Sequence, residues 1–168
     1  KMVVQNPDLE KVRCFEPNSG ISPWSYPVCV AEVQKAQDPP INVFLNHGWS
    51  VREPWGVWAE DTDSRAEWLA DHKLDYRLVI EAFPNCVIGR SQSMLVEVNG
   101  HELGDYQWQD CETVRKEIVI PREYIRVGRN NLELSYEYAT VPTDRETGKT
   151  IDSRTLSVGF SMLSIKNP

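Results

Sequence analysis

The chain has 168 residues, 40% hydrophobic and 26% charged, with 18 Lys/Arg against 25 Asp/Glu for a formal net charge of −7. That length suits a domain with a sizeable core, since domains cluster near ~100–150 residues, and the composition argues against wholesale disorder. The acidic balance, without any Lys/Arg run, excludes a nucleic-acid partner, which needs a basic footprint; no run nears the ~18–20 apolar residues of a membrane helix, so direct membrane insertion is not expected.

The chain opens at Lys1-Met2-Val3-Val4 with no basic-then-apolar leader, so it is expected to be a mature chain or a piece of a longer parent protein. Residues 1–40, rich in Pro and closed by Asp38-Pro39-Pro40, are expected to form an arm packed on a β-sandwich domain spanning 41–168. Strand patterns follow at 41–45 and 74–83. Residues 63–70 fit either a capped helical turn or a short strand. Met94-Leu95-Val96-Glu97-Val98 leads into Asn99-Gly100, the strongest short hairpin signal. A further strand at 117–120 stops at Pro121, after which 121–125 reads as one helical turn. Gly128 to Asn131 is expected to turn the chain. Leu132, Leu134, Tyr136 and Tyr138 then alternate with polar residues, and a last strand runs 156–165. Such period-two runs place one sheet face in a core and the other in water. The fold class expected is all-β, an antiparallel β-sandwich of jelly-roll type.

Four cysteines, Cys14, Cys29, Cys86 and Cys111, lack the paired spacing of a zinc site. Of the three possible connectivities, Cys14–Cys29 and Cys86–Cys111 are favoured, because each closes a short loop beside strands. The first loop carries Pro17, Gly20, Pro23 and Pro27 and has little else to hold it. Oxidised cysteines imply a periplasmic or secreted location.

Two resemblances extend this reading. Val96-Glu97-Val98-Asn99-Gly100-x-x-x-Gly104, then Ile118-Val119-Ile120-Pro121, then Gly128-x-Asn130-Asn131-Leu132-x-Leu134 resembles the galactose-binding-like jelly rolls that recur in carbohydrate-active proteins. Gly48-Trp49-Ser50-x-x-Glu53-x-Trp55-Gly56-Val57-Trp58, with Asp152-Ser153-Arg154-x-Leu156-x-Val158-Gly159, is similar to sandwich domains attached to bacterial envelope glycosyltransferases and related membrane transferases. They imply a jelly roll over about residues 41–165 and a role beside cell-envelope glycan chemistry.

Catalytic and cofactor motifs are incomplete. Gly148-Lys149-Thr150 lacks the earlier glycine of a phosphate loop, since position 143 is Thr143. Asp61-x-Asp63 starts like a calcium loop, but Ala66 replaces its turn glycine. No G-x-S-x-G occurs, and His47, His72 and His101 are scattered. No cofactor, metal or catalytic residue is therefore assigned.

Trp49, Trp55, Trp58 and Trp68 fall within twenty residues, among Arg52, Glu53, Glu60 and Asp61. Indoles stack on the apolar faces of sugars while charged and amide side chains bind hydroxyls; equally, Trp is usually largely buried. The candidate ligand-binding set is Trp49, Arg52, Glu53, Trp55, Trp58, Asp152 and Arg154. Arg154 either offers its fork to an acidic sugar or phosphate, or pairs with Asp152 or Glu53 to fasten the long loop before the last strand. Tyr106, Trp108 and Gln109, near Cys111, make a second candidate surface. The expected function is a non-catalytic carbohydrate-binding or accessory module whose partners are a glycan or polysaccharide and the remainder of a larger parent protein. The alternatives are a small hydrolase or esterase acting on glycans and a purely structural docking module.

Overall fold

The computed structural model describes residues 41–144 and 147–167, together with the backbone of 12–15 and 28–31. The chain divides into two units, Lys1–Asp38 and Pro39–Pro168. In the first, β1 (Val12–Phe15) pairs antiparallel with β2 (Val28–Ala31). Cys14 is the register partner of Cys29; their side chains, and the packing expected of the arm, lie outside the described residues.

The second unit is all-β. Its strands are β3 (Phe44–His47), β4 (Val57–Glu60), β5 (Asp63–Ala70), β6 (Tyr76–Pro84), β7 (Ser93–Val98), β8 (His101–Gln107), β9 (Val114–Ile120), β10 (Gly128–Tyr136) and β11 (Leu156–Lys166). They form two antiparallel sheets, β3-β5-β10-β7-β8 and β4-β11-β6-β9. Four strand pairs nest around the β7–β8 turn: β7 with β8, β6 with β9, β5 with β10 and β4 with β11. One long hairpin rolled alternately into two sheets is the jelly roll. Its tip is the Asn99-Gly100 turn, where φ is 52° and 82°; two successive positive values are what a two-residue hairpin needs.

Alternation drives the layering. Ala66, Trp68, Ala70, Met94, Val96, Val98, Leu132 and Leu134 of the five-stranded sheet face Val57, Ala59, Leu78, Ile80, Ala82, Ile120, Val158 and Phe160 of the other, all within 4% of full burial. In β11 the inward set changes parity, from Val158 and Phe160 to Leu163 and Ile165. The register against β6 shifts between Phe160 and Met162, so the extra residue of a bulge keeps both halves of the strand facing the core.

Several boundaries differ from expectation. Residues 63–70 are strand β5, because they complete the sheet between β3 and β10. The strand expected at 41–45 forms instead at Phe44–His47, where pairing with β5 is available. Gly128 to Asn131, expected to turn, already belong to β10 opposite Ala70 to Glu67. Arg122–Tyr124 forms the expected single helical turn, as a 3₁₀ element after Pro121.

Candidate functional site

Residues 48–60 form a hairpin-like excursion whose return arm is β4. Glu60 N–H donates to the Gly48 carbonyl at 2.8 Å and Ser50 N–H to the Trp58 carbonyl at 2.9 Å. The Ser50 hydroxyl accepts from Trp58 N–H at 3.1 Å. The tip closes where Glu53 and Gly56 exchange backbone hydrogen bonds of 2.8 and 3.1 Å, leaving Pro54 and Trp55 as the turn residues. Proline suits the first turn position because its φ is already set. The loop thus holds an indole, 37% exposed, at the end of a rigid lever.

Trp55 leans on two rings. Its centroid lies 5.5 Å from Trp58 at 74° and 5.3 Å from Phe83 at 49°, and Trp58 lies 5.1 Å from Phe83 at 79°. Trp58 and Phe83 sit on the outer face of the four-stranded sheet, each the register partner of Gly159 between them. Gly159 makes the cluster possible: a Cβ there would stand 2.6 Å from the Phe83 ring. Three rings are therefore packed over a missing side chain, with Trp58 edge to face against both Trp55 and Phe83, a favourable geometry for aromatic quadrupoles.

The polar flank is a chain of charge-assisted hydrogen bonds. Trp55 Nε1 donates to Glu53 Oε2 at 2.9 Å. Arg154 Nη1 and Nη2 donate to Glu53 Oε1 at 3.2 and 3.1 Å. Arg154 Nε donates to both Asp152 oxygens at 3.1 and 2.9 Å, Nη2 reaches Asp152 Oδ2, and the Arg154 backbone N–H donates to Oδ1 at 2.9 Å. Those donations from Arg154 hold the Asp152 carboxyl down at about 2, and Asp152 in turn raises the Arg154 guanidinium above its ordinary value. All three side chains are a quarter to a third exposed, so this is a rim feature and not a buried ion pair.

Of the seven candidate residues, the structure brings Glu53, Trp55, Trp58, Asp152 and Arg154 together. Trp49 stands apart: its ring meets Phe160 edge-on at 5.3 Å, and its Nε1 donates to the Arg65 carbonyl at 2.7 Å. It serves the core. Arg52 turns to the Val43 carbonyl, 3.5 Å from Nη2. Phe83 was missed, although its parity in β6, shared with Arg77 and Glu81 and opposite to Leu78, Ile80 and Ala82, already sets an aromatic on the polar face. Trp68 is buried in the core.

Of the second candidate surface, Trp108 is 3% exposed. With Gln109, Arg90, Gln92, Tyr138 and the Cys86–Cys111 disulfide it lines a cavity of about 210 Å³. The Arg90 guanidinium lies 4.2 Å over the Tyr138 ring, and both Gln92 amide ends are satisfied by Tyr138 and neighbouring backbone. The histidines do not converge: His47 neighbours Asp63 at 3.7 Å, His101 stacks on Tyr124 at 4.3 Å, and His72 precedes β6, its carbonyl accepting from Tyr76. Among the described residues no group of three or more His, Cys, Asp or Glu is placed to hold a metal ion, and no helix is long and apolar enough to cross a membrane.

No family model and no curated protein matches this sequence. Among solved structures the chain is similar to the CBM36-1 domain of a multidomain xylanase from the hindgut metagenome of Trinervitermes trinervoides, at 10% identity and a TM-score of 0.44, covering 76% of this chain and 92% of that one. It is also similar to a carbohydrate-binding module CBM36 in complex with calcium and xylotriose, at 8% identity and a TM-score of 0.43, covering 74% and 94%. A family two carbohydrate esterase from Clostridium thermocellum in complex with cellohexaose matches at 15% identity and a TM-score of 0.41, covering 74% of this chain and 30% of that chain.

Proposed function

We propose that this chain is a non-catalytic carbohydrate-binding module, accessory to a larger glycan-handling protein outside the cytoplasm. The observation that carries the reading is the Trp55–Trp58–Phe83 platform: a cluster of aromatic rings on an outer sheet face, one more than a third exposed. Inside a core such a cluster needs no explanation. On a wet face, with an indole propped outward by a two-residue turn and a salt-bridged carboxylate, it offers a stacking surface with hydroxyl-binding groups at its rim, the chemistry a sugar ring requires. Scattered histidines oppose the hydrolase alternative, which needs a base beside a nucleophile. The Cys86–Cys111 disulfide fits an oxidising compartment, periplasmic or secreted.

The test is binding of the intact chain to immobilised or gel-embedded polysaccharides, with Trp55→Ala and Trp58→Ala compared by titration and by melting. Trp55→Ala is expected to weaken binding by about 1–3 kcal/mol, the range for losing a stacked aromatic, with melting close to wild type. Trp58, half-buried under Trp55, is expected to lower both. Wild-type protein that retains no polysaccharide would discard the reading in favour of a docking module.

A further inference from the structure

Resting on that reading of the platform, we infer that its ligand is an uncharged sugar chain, and that Glu53, Arg154 and Asp152 are positioning residues that hold Trp55 and do not grip the ligand. An arginine beside an aromatic platform invites the opposite conclusion, that its fork receives a carboxylate or phosphate. Here most of the fork is already taken. Arg154 gives Nε to both oxygens of Asp152 and both terminal nitrogens to Glu53 Oε1, while Glu53 Oε2 takes the Trp55 indole N–H. Two carboxylates face one guanidinium, so the brace carries a net negative charge. An anionic sugar arriving at Trp55 would meet that charge with one Nη1 N–H, and not the bidentate fork, left to meet its own.

The rest of the rim adds carboxylates, and its cations are already engaged. Glu60 follows Trp58 by two residues on the same face of β4, and Glu81 precedes Phe83 by two on the same face of β6. Glu81 is held by the Ser161 hydroxyl at 2.7 Å and by Arg115 at 3.6 Å. Arg115 is itself shared with Glu117 at 3.8 Å, and Glu117 also holds Arg77 at 3.4 Å, so both cations of this group are matched by carboxylates. Arg52, the remaining cation of the loop, reaches toward the Val43 carbonyl. Like charges set against a ligand are a means of rejecting it. Uncharged hydroxyls lose nothing here, because carboxylate oxygens accept from them.

The brace acts through Trp55. Removing Asp152 leaves Arg154 tied only to Glu53, and removing Glu53 frees the indole N–H. Either change loosens the ring and also uncovers the guanidinium, so both are expected to move specificity as well as affinity. A purely structural role would not do that.

The experiment pairs neutral polymers (glucan, xylan, galactan) with uronate polymers of matched backbone, by affinity electrophoresis and calorimetry at low and at 0.5 M salt. Binders are wild type, Asp152→Asn and Glu53→Gln, with the Trp55 indole N–H followed by NMR. Wild type is expected to bind a neutral polymer at least about tenfold more tightly than its uronate partner at low salt, with neutral binding insensitive to salt. Asp152→Asn is expected to shift the indole resonance, lose neutral affinity severalfold and gain on uronate. Glu53→Gln keeps an oxygen for the indole while removing a charge, and serves if Asp152→Asn does not fold. Wild type preferring a uronate polymer in a Trp55-dependent way overturns this inference and leaves the glycan site standing. A specificity ratio unmoved in both folded variants overturns the brace. Retention by neither class of polymer removes the proposed function, and this inference with it.

Discussion

Glu53 and Gly56 exchange two backbone hydrogen bonds, and that small closure decides where Trp55 points. Beyond the turn, Gly56 lies so close to β11 that a Cβ on it would stand 2.0 Å from the Phe160 carbonyl oxygen and 3.1 Å from the Ser161 Cα. These are backbone atoms of a central strand and cannot rotate away. Gly56→Ala is therefore expected to push the start of β4 off β11, costing about 1–3 kcal/mol as overpacking does, and to alter the fluorescence of the Trp55–Trp58 pair. Wild-type melting together with an unchanged emission spectrum would contradict this close approach.

Much of the fold was legible because local chemistry and tertiary need agree. Asn99-Gly100 forms its turn, Pro121 ends β9, and Leu132, Leu134, Tyr136 and Tyr138 are all buried. Residues 63–70 were ambiguous because Asp63 and Ser64 suit a helix cap, whereas the inward alternation of Ser64, Ala66, Trp68 and Ala70 is stabilised only by neighbours distant in sequence. Strand β4 was not among the expected strands: four residues carry too little pattern, and its partner β11 lies a hundred residues on. At the site, pairing of Arg154 with Asp152 or Glu53 was an open possibility, and both contacts form. Gly159 gave no signal alone; its meaning comes from the Phe83 ring beside it.

Tyr136 bears on alkaline stability. Its hydroxyl shares a 2.7 Å hydrogen bond with the buried Ser64 hydroxyl, and burial pushes its phenol well above the ordinary value near 10. A folded-state pKa raised above the unfolded one gives stability that is complete below pH ~10 and is lost as pH rises beyond it, because only the unfolded chain releases the proton. Absorbance titration at 295 nm is expected to leave this one of six tyrosines silent until the chain unfolds. Tyr136→Phe leaves Ser64 unpaired in the core at a cost of about 1–3 kcal/mol. Full reversible ionisation of every tyrosine in the folded protein would contradict this.

Asp152 bears on the acid side, with the opposite sign. Its carboxyl is lowered from 3.8 to about 2 by the hydrogen bonds from Arg154. The contribution of this pair is complete above pH ~4 and is lost as pH falls through about 2. Carbon-13 NMR of the Asp152 carboxyl is expected to show a midpoint well below the ordinary aspartate value of 3.8. A midpoint at the ordinary value would mean that the Arg154 fork is open in solution. The effect on melting is expected to be small, because the pair is solvent-screened.

The disulfides give the last test. Cys86 and Cys111 are bonded across a separation of 25 residues, their Cα atoms 5.8 Å apart, and both line the Trp108 cavity. They tie the loop after β6 to the loop after β8, which Trp108 N–H also joins by donating to the Gln92 carbonyl at 2.9 Å. By the chain-entropy model such a link stabilises by about 3 kcal/mol. Cys86→Ser with Cys111→Ser is expected to lower melting accordingly, and to loosen the end of the sandwich where Arg90 covers Tyr138. Cys14 and Cys29 are register partners in an antiparallel pair, a position from which two cysteines can bond. Peptide mapping without reductant is expected to recover Cys14–Cys29 and Cys86–Cys111 and no alkylatable thiol. Protein made in a reducing cytosol should melt lower until it is oxidised. Four alkylatable thiols in natively produced protein would remove both bonds and the extracytoplasmic location, because a reducing compartment would then suffice for this chain.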